Sequence, residues 1–146
     1  MIDKQEILTL IPHRGEMMML SRIIQYDIQE RNIEAEYDIG EDCIFYDQKI
    51  KGAPVFVGFE LIAQAISCFI GIRSRENGLP PKEGYILGIS NMSMGFPILK
   101  KNCIITIKTR EVDNVHPVYV FDGEIYEDGQ ELLSGKITVM EVEKEQ

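Results

Sequence analysis

The chain is short of cysteine, histidine and positive charge. Its three cysteines, Cys43, Cys68 and Cys103, stand 25 and 35 residues apart. That spacing fits neither a zinc site nor a CxxC redox pair. An odd number of cysteines points to free thiols in a reducing cytoplasm, with Cys68 read as a small buried apolar residue rather than a nucleophile. Only two histidines occur, His13 and His116. Fifteen Lys and Arg face 24 Asp and Glu, a formal net charge of −9. An acidic chain repels phosphate backbones, which excludes nucleic acid as an expected partner. The same sign argues against anionic membrane surfaces. The N-terminus lacks the basic-then-apolar shape of an export signal. No internal repeat, low-complexity tract or linker divides the chain, so residues 1–146 are expected to form one domain.

Apolar length is what the sequence has in excess. Ala53 to Ile72 runs for 20 residues with a single charge. That length reaches a transmembrane span. Yet the run holds Pro54, Glu60, Gln64 and Ser67, and a carboxylate at a bilayer centre is costly. A helix apolar on nearly every side must be surrounded. The expected surroundings are protein, because the flanking sequence reads as amphipathic strands.

Those strands are read from alternation and turn residues. Asp3 to Leu10 predicts a short helix with Asp3 as N-cap and Glu6 three residues on, ended by Pro12. Met17 to Tyr26 and Ile33 to Ile39 predict strands, the second alternating strictly. Gly40 to Gly52 reads as a loop. The apolar helix is expected from about Gly58 to Arg75, closed by Asn77-Gly78, with Pro80-Pro81 preventing its restart. Strands follow over Tyr85–Gly95, Cys103–Val112, Val118–Tyr126 and Leu132–Val142, with a bend at Phe96-Pro97. Asp128-Gly129 supplies the positive-φ residues of a tight hairpin. The class is α+β: an antiparallel sheet wrapped around a long central helix. One sheet covers only part of such a helix, so the open side is expected to meet a second copy or a paired relative.

The helix's few polar groups line up. Glu60, Gln64, Ser67 and Gly71 fall on one stripe at i, i+4, i+7 and i+11. Glu60 lies in the first turn, where free N–H groups and the positive dipole end favour a carboxylate. Either Glu60 merely caps the helix and Gln64 satisfies backbone groups, or Glu60 is a partly desolvated acid or base beside an apolar pocket. Large hydrophobes around a lone carboxylate suit an acyl chain next to proton-transfer chemistry.

Leu10-Ile11-Pro12-His13-Arg14 with Met18-Met19-Leu20-Ser21-Arg22 resembles the "LLPHR…LLVDR" opening of the β-hydroxyacyl-acyl-carrier-protein dehydratases. Pro54-Val55-Phe56-Val57-Gly58-Phe59-Glu60-Leu61-Ile62-Ala63-Gln64 resembles their "P-G-x-x-x-x-E-A-x-A-Q" segment, and Phe96-Pro97 their "F-x-x-P" bend. The helix segment is closer still to a dehydratase-like branch of aryl polyene and lipid-assembly clusters. The resemblance covers about residues 6 to 142. It implies the hotdog fold, paired chains sharing a continuous sheet, and removal of water from a 3-hydroxyacyl thioester to give a trans-2-enoyl thioester. It implies no metal and no cofactor. It assigns Glu60 as the catalytic carboxylate, with Val55, Phe56, Gly58 and Gln64 lining the substrate.

The sequence departs from that pattern at the second catalytic group. The family's His stands fourteen residues before the carboxylate, where this chain has Tyr46. A phenol is a poor base at neutral pH but an adequate hydrogen-bond donor. The family's Gly at the helix entry is Val55. Three arrangements stay open: Glu60 abstracts the proton with Tyr46 as donor; His13 reaches the site; or the chain is a non-catalytic subunit that pairs with an active dehydratase or binds acyl chains. A thioesterase, with Glu60 activating water, is a further alternative on the same fold. Lys49, Lys51, Arg73, Arg75, Lys100 and Lys101 are expected to form a basic rim if an acyl carrier protein delivers the thioester. A coenzyme A thioester needs less basic surface. His116, before Pro117, is expected in an exposed turn.

Overall fold

A computed structural model describes residues 1–11, 18–80 and 83–142. The chain begins with a two-residue strand β1 (Ile2–Asp3) and the short helix α1 (Lys4–Leu10). Asp3 caps α1, its Oδ1 accepting from the Glu6 N–H at 3.0 Å. Strands β2 (Arg22–Asp27) and β3 (Asn32–Asp38) follow. β4 (Gly52–Pro54) leads through a single 3-10 turn, Val55–Val57, into α2 (Gly58–Glu76). Then come β5 (Glu83–Met94), β6 (Ile98–Lys100), β7 (Ile104–Val115), β8 (Val118–Glu127) and β9 (Gln130–Val142).

Seven strands make one antiparallel sheet in the order β1-β2-β3-β7-β8-β9-β5, and β4 pairs with β6 in a separate ribbon. The expected hairpin joins β8 to β9: Asp128 (φ 51°) and Gly129 (φ 76°) both take positive φ between Glu127 and Gln130. That combination matches the twist of the flanking strands.

The sheet curls around α2, which is the apolar run. Leu61, Ile62, Ala65, Ile66, Cys68 and Phe69 are all buried. They meet inward residues of the strands, Phe69 lying edge-on to Phe121 at 6.0 Å between ring centroids. The helix is long and apolar enough to span a membrane by length and composition, but most of it is buried inside the protein. Its C-terminus closes as expected. The Gly78 N–H donates to Arg75 O and the Leu79 N–H to Ser74 O, with Gly78 at φ 67°. Those two bonds satisfy carbonyls that the last turn leaves orphaned. Pro12 and Pro81 lie outside the described residues.

Two parts of the chain differ from expectation. β2 begins at Arg22, not Met17. Met18, Met19 and Leu20 are buried, but the amides of Met19 and Leu20 bond to the Gln64 side chain rather than to a strand neighbour. Sheet pairing begins only where the Ser21 N–H reaches Glu36 O at 2.8 Å. The β4–β6 ribbon, Gly52↔Lys100 through Pro54↔Ile98, is not among the expected strands. Its three-residue strands are too short to show alternation.

Gly71, the last member of the polar stripe, marks where α1 crosses α2. A Cβ there would sit 2.3 Å from the Leu10 carbonyl oxygen. Glycine inside a helix costs roughly 0.5–1 kcal/mol against alanine, so Gly71→Ala would stabilise an unobstructed helix. Here the clash is with backbone and wins. Gly71→Ala is expected to lower stability by about 1–3 kcal/mol, measured by urea unfolding. A more stable variant would show that α1 does not rest on α2 at this point.

Candidate active site

The sheet leaves one side of α2 uncovered, and the polar stripe lies there. Phe59, Glu60, Ala63 and Ser67 are half-buried while the flanking helix residues are buried. A cavity of about 360 Å³ opens along this side. From α2 it is lined by Glu60, Ala63, Gln64, Ile66 and Ser67. Ile11 and Met18 form one wall. Gly84 and Ile86 of β5 and Val139 of β9 form the other. Glu60 is the one titratable side chain among these described lining residues.

Gln64 fixes that carboxylate. It is buried, 7% exposed, and its carboxamide works in two directions. Oε1 accepts from the Met19 N–H at 2.9 Å and, more weakly, from the Leu20 N–H at 3.4 Å. Nε2 donates to Glu60 Oε1 at 3.1 Å. Gln64 satisfies buried backbone amides, and the same contact orients Glu60 towards the cavity. The i, i+4 spacing is what brings the two side chains together.

The remaining described site residues do not line this cavity. Val55 is buried and its N–H donates to Pro97 O at 2.9 Å, so that amide is not available to a thioester carbonyl. Gly58 is a packing residue, since a Cβ there would meet Ile125 at 3.0 Å and Leu133 at 3.4 Å. Phe56 is 60% exposed and does not line the cavity. Tyr46 packs half-buried against the core, its N–H donating to Cys43 O at 2.9 Å, and it too is absent from the lining. His13 lies outside the described residues.

The six cations do not form one rim. Arg73 is held inside, its Nη1 2.8 Å from the fully buried Glu111 carboxylate and its guanidinium near the Phe69 and Tyr119 rings. Arg75 reaches back to Thr9 and Glu6 on α1. Lys101 pairs with Glu41. Lys49, Lys51 and Lys100 are exposed around the β4–β6 ribbon. The two ends of α2 hold these groups far apart along the helix.

The other candidates are settled by burial. Cys68 is fully buried, and burial pushes its thiol up to about 12, which leaves no thiolate for nucleophilic attack. His116 is exposed, as expected, with Nδ1 3.2 Å from the Tyr119 hydroxyl. No cluster of His, Cys, Asp and Glu suited to a metal occurs among the described residues. Ile11, Met18, Gly84, Ile86 and Val139 were not foreseen as cavity residues. They come from four separate segments, and only Ser67 carried a signal, through its place on the stripe.

Gln64 is expected to carry measurable stability. Gln64→Leu keeps the volume but orphans the Met19 amide, a loss of about 1–3 kcal/mol. Chemical denaturation reads it. An unchanged midpoint would show that the Met19 and Leu20 amides have another acceptor.

Known proteins agree with this architecture. The profile of the ApeP-like family, described as ApeP dehydratase, matches residues 5–146. The 3-hydroxyacyl-acyl-carrier-protein dehydratase FabZ of Chlamydia trachomatis serovar L2 is 30% identical over 107 residues, covering 71% of this chain and 69% of its own. The FabZ of Erythrobacter litoralis is 26% identical over 141 residues, covering 94% and 91%. Among solved structures, the dehydratase heterocomplex ApeI:P from Xenorhabdus doucetiae aligns with a TM-score of 0.87 at 20% identity, over 94% of this chain and 91% of that one. A hypothetical thioesterase from Streptococcus pneumoniae TIGR4, solved with coenzyme A, aligns at 0.65 and 14%, over 86% and 88%. The fold is thus the hotdog fold shared by dehydratases and thioesterases. With its profile match running almost end to end, the chain belongs to the ApeP-like family of dehydratases.

Proposed function

We propose that this chain supplies the carboxylate half of a site that dehydrates 3-hydroxyacyl thioesters, and that a second hotdog chain supplies the other half. The observation that carries the reading is Glu60, oriented by Gln64 and the one titratable side chain among the described residues lining a largely apolar cavity. Dehydration breaks the C2–H and C3–O bonds, forms the C2=C3 bond and releases water. It needs one group to take the C2 proton and one to give a proton to the departing hydroxyl. Glu60 serves one of these transfers.

Support for the second chain comes from β5. Its twelve residues pair only with β9 and end the sheet. Ile86, Leu87, Met92 and Met94 on this strand are 44–57% exposed. A long apolar edge strand is a template for another chain, and Gly84 and Ile86 on it are also cavity wall. A neighbour on β5 therefore stands beside the substrate. In a homodimer its Tyr46 is the candidate donor. In a heterodimer the donor is a histidine of the paired dehydratase. The exposed lysines of the β4–β6 ribbon favour an acidic carrier protein over coenzyme A as the carrier, in a cytoplasmic setting.

Incubation of the assembled protein with a 3-hydroxyacyl thioester is expected to give the ultraviolet absorbance of the enoyl thioester. Glu60→Gln is expected to lower that rate by on the order of 10²–10⁴-fold. Tyr46→Phe lowers it only if the pair is a homodimer. Full activity in Glu60→Gln would overturn the assignment, and release of free thiol in place of the enoyl signal would mark a thioesterase.

A further inference from the structure

Along α2 the cavity is lined from Glu60 to Ser67. We infer that Ser67 and Gly84 set how long an acyl tail the cavity accepts. This rests on the acyl-thioester reading and adds to it a limit on chain length.

Two observations place the limit there. First, Gly84 lines the cavity but does not need to be glycine for its backbone. Among the described residues only Gly78 and Gly129 are glycines at positive φ. Glycine at 84 makes room for neighbouring side chains: a Cβ would meet Val139 Cγ1, on the cavity wall, at 3.0 Å and Ile70 Cδ1 at 3.8 Å, so a larger residue here presses the Val139 wall towards the tail. Ile70 lies one turn beyond the lining residue Ile66, so this contact falls towards the Ser67 end of the lining. Second, Ser67 is small and is the last side chain that α2 contributes to the lining. One turn further the stripe is closed, because Gly71 sits against the Leu10 backbone.

The distances then bound the tail. Seven helical residues from Glu60 to Ser67 span roughly 10 Å, the extended length of roughly eight carbons. Tails up to that length bury each added methylene against Ala63, Ile66 and Val139. Longer tails meet the α1–α2 contact and gain nothing.

The test is binding of non-hydrolysable acyl-pantetheine thioethers, C4 to C14, to the assembled protein, which needs no turnover. Affinity is expected to rise about fourfold per carbon and then flatten at a break. Ser67→Leu and Gly84→Ala should each move the break earlier by about two carbons, leaving C4 binding unchanged. Ser67→Ala, which preserves the space, should leave it in place. A break that ignores both larger substitutions, or one moved by Ser67→Ala, overturns the inference while the acyl-thioester reading stands. Uniform weakening at every length overturns it too, since that reports damage to the fold. No binding by the wild-type protein at any length overturns both.

Discussion

Burying a helix of nineteen residues inside one sheet imposes a constraint that the rest of the structure obeys. A single antiparallel sheet shields only part of a cylinder, so one side of α2 must be closed by something else. In this chain that side carries the helix's polar residues, and each meets a different fate along its length. Gly71 is covered by α1. Gln64 is buried by the Met19–Leu20 backbone. Glu60 and Ser67 remain open to a cavity. The site is what the sheet leaves uncovered.

Gln64 is where folding and chemistry meet. An extended segment, Met18–Leu20, passes over the helix without strand neighbours for two of its amides. A buried amide left unpaired costs more than most single contacts contribute. The Gln64 carbonyl takes both, and its amino group is thereby turned towards Glu60. For the proposed dehydration, a carboxylate held in one orientation is what proton transfer over hydrogen-bond distance requires. At the opposite end of α2, Arg73 and the buried Glu111 anchor the helix to β7, so the helix is held at both ends.

Local chemistry in the sequence was enough to place the main elements. Asp3 with Glu6 gave the start of α1, Asn77-Gly78 the end of α2, and Asp128-Gly129 the β8–β9 hairpin. The spacing of Glu60, Gln64 and Ser67 predicted a polar line, and the cavity follows it. What escaped was non-local. Met18–Leu20 looks like strand because it is apolar, but its partner is a side chain 45 residues away. Val55 lines the substrate by resemblance, yet its amide donates to Pro97 O, just before β6. The six cations looked like a rim because both groups flank one helix, yet Arg73 and Arg75 are drawn to acids and hydroxyls on other elements. In each case the deciding partner comes from a distant part of the chain.

The free margin of β5 also bears on how the protein is made. Its outer edge, opposite β9, is flanked by greasy side chains, with no proline or lysine between Glu83 and Met94 to discourage a stranger. Proteins usually blunt such margins. In the proposed pairing, a chain made in excess of its neighbour carries an adhesive border, so its solubility comes to depend on matched supply of the two.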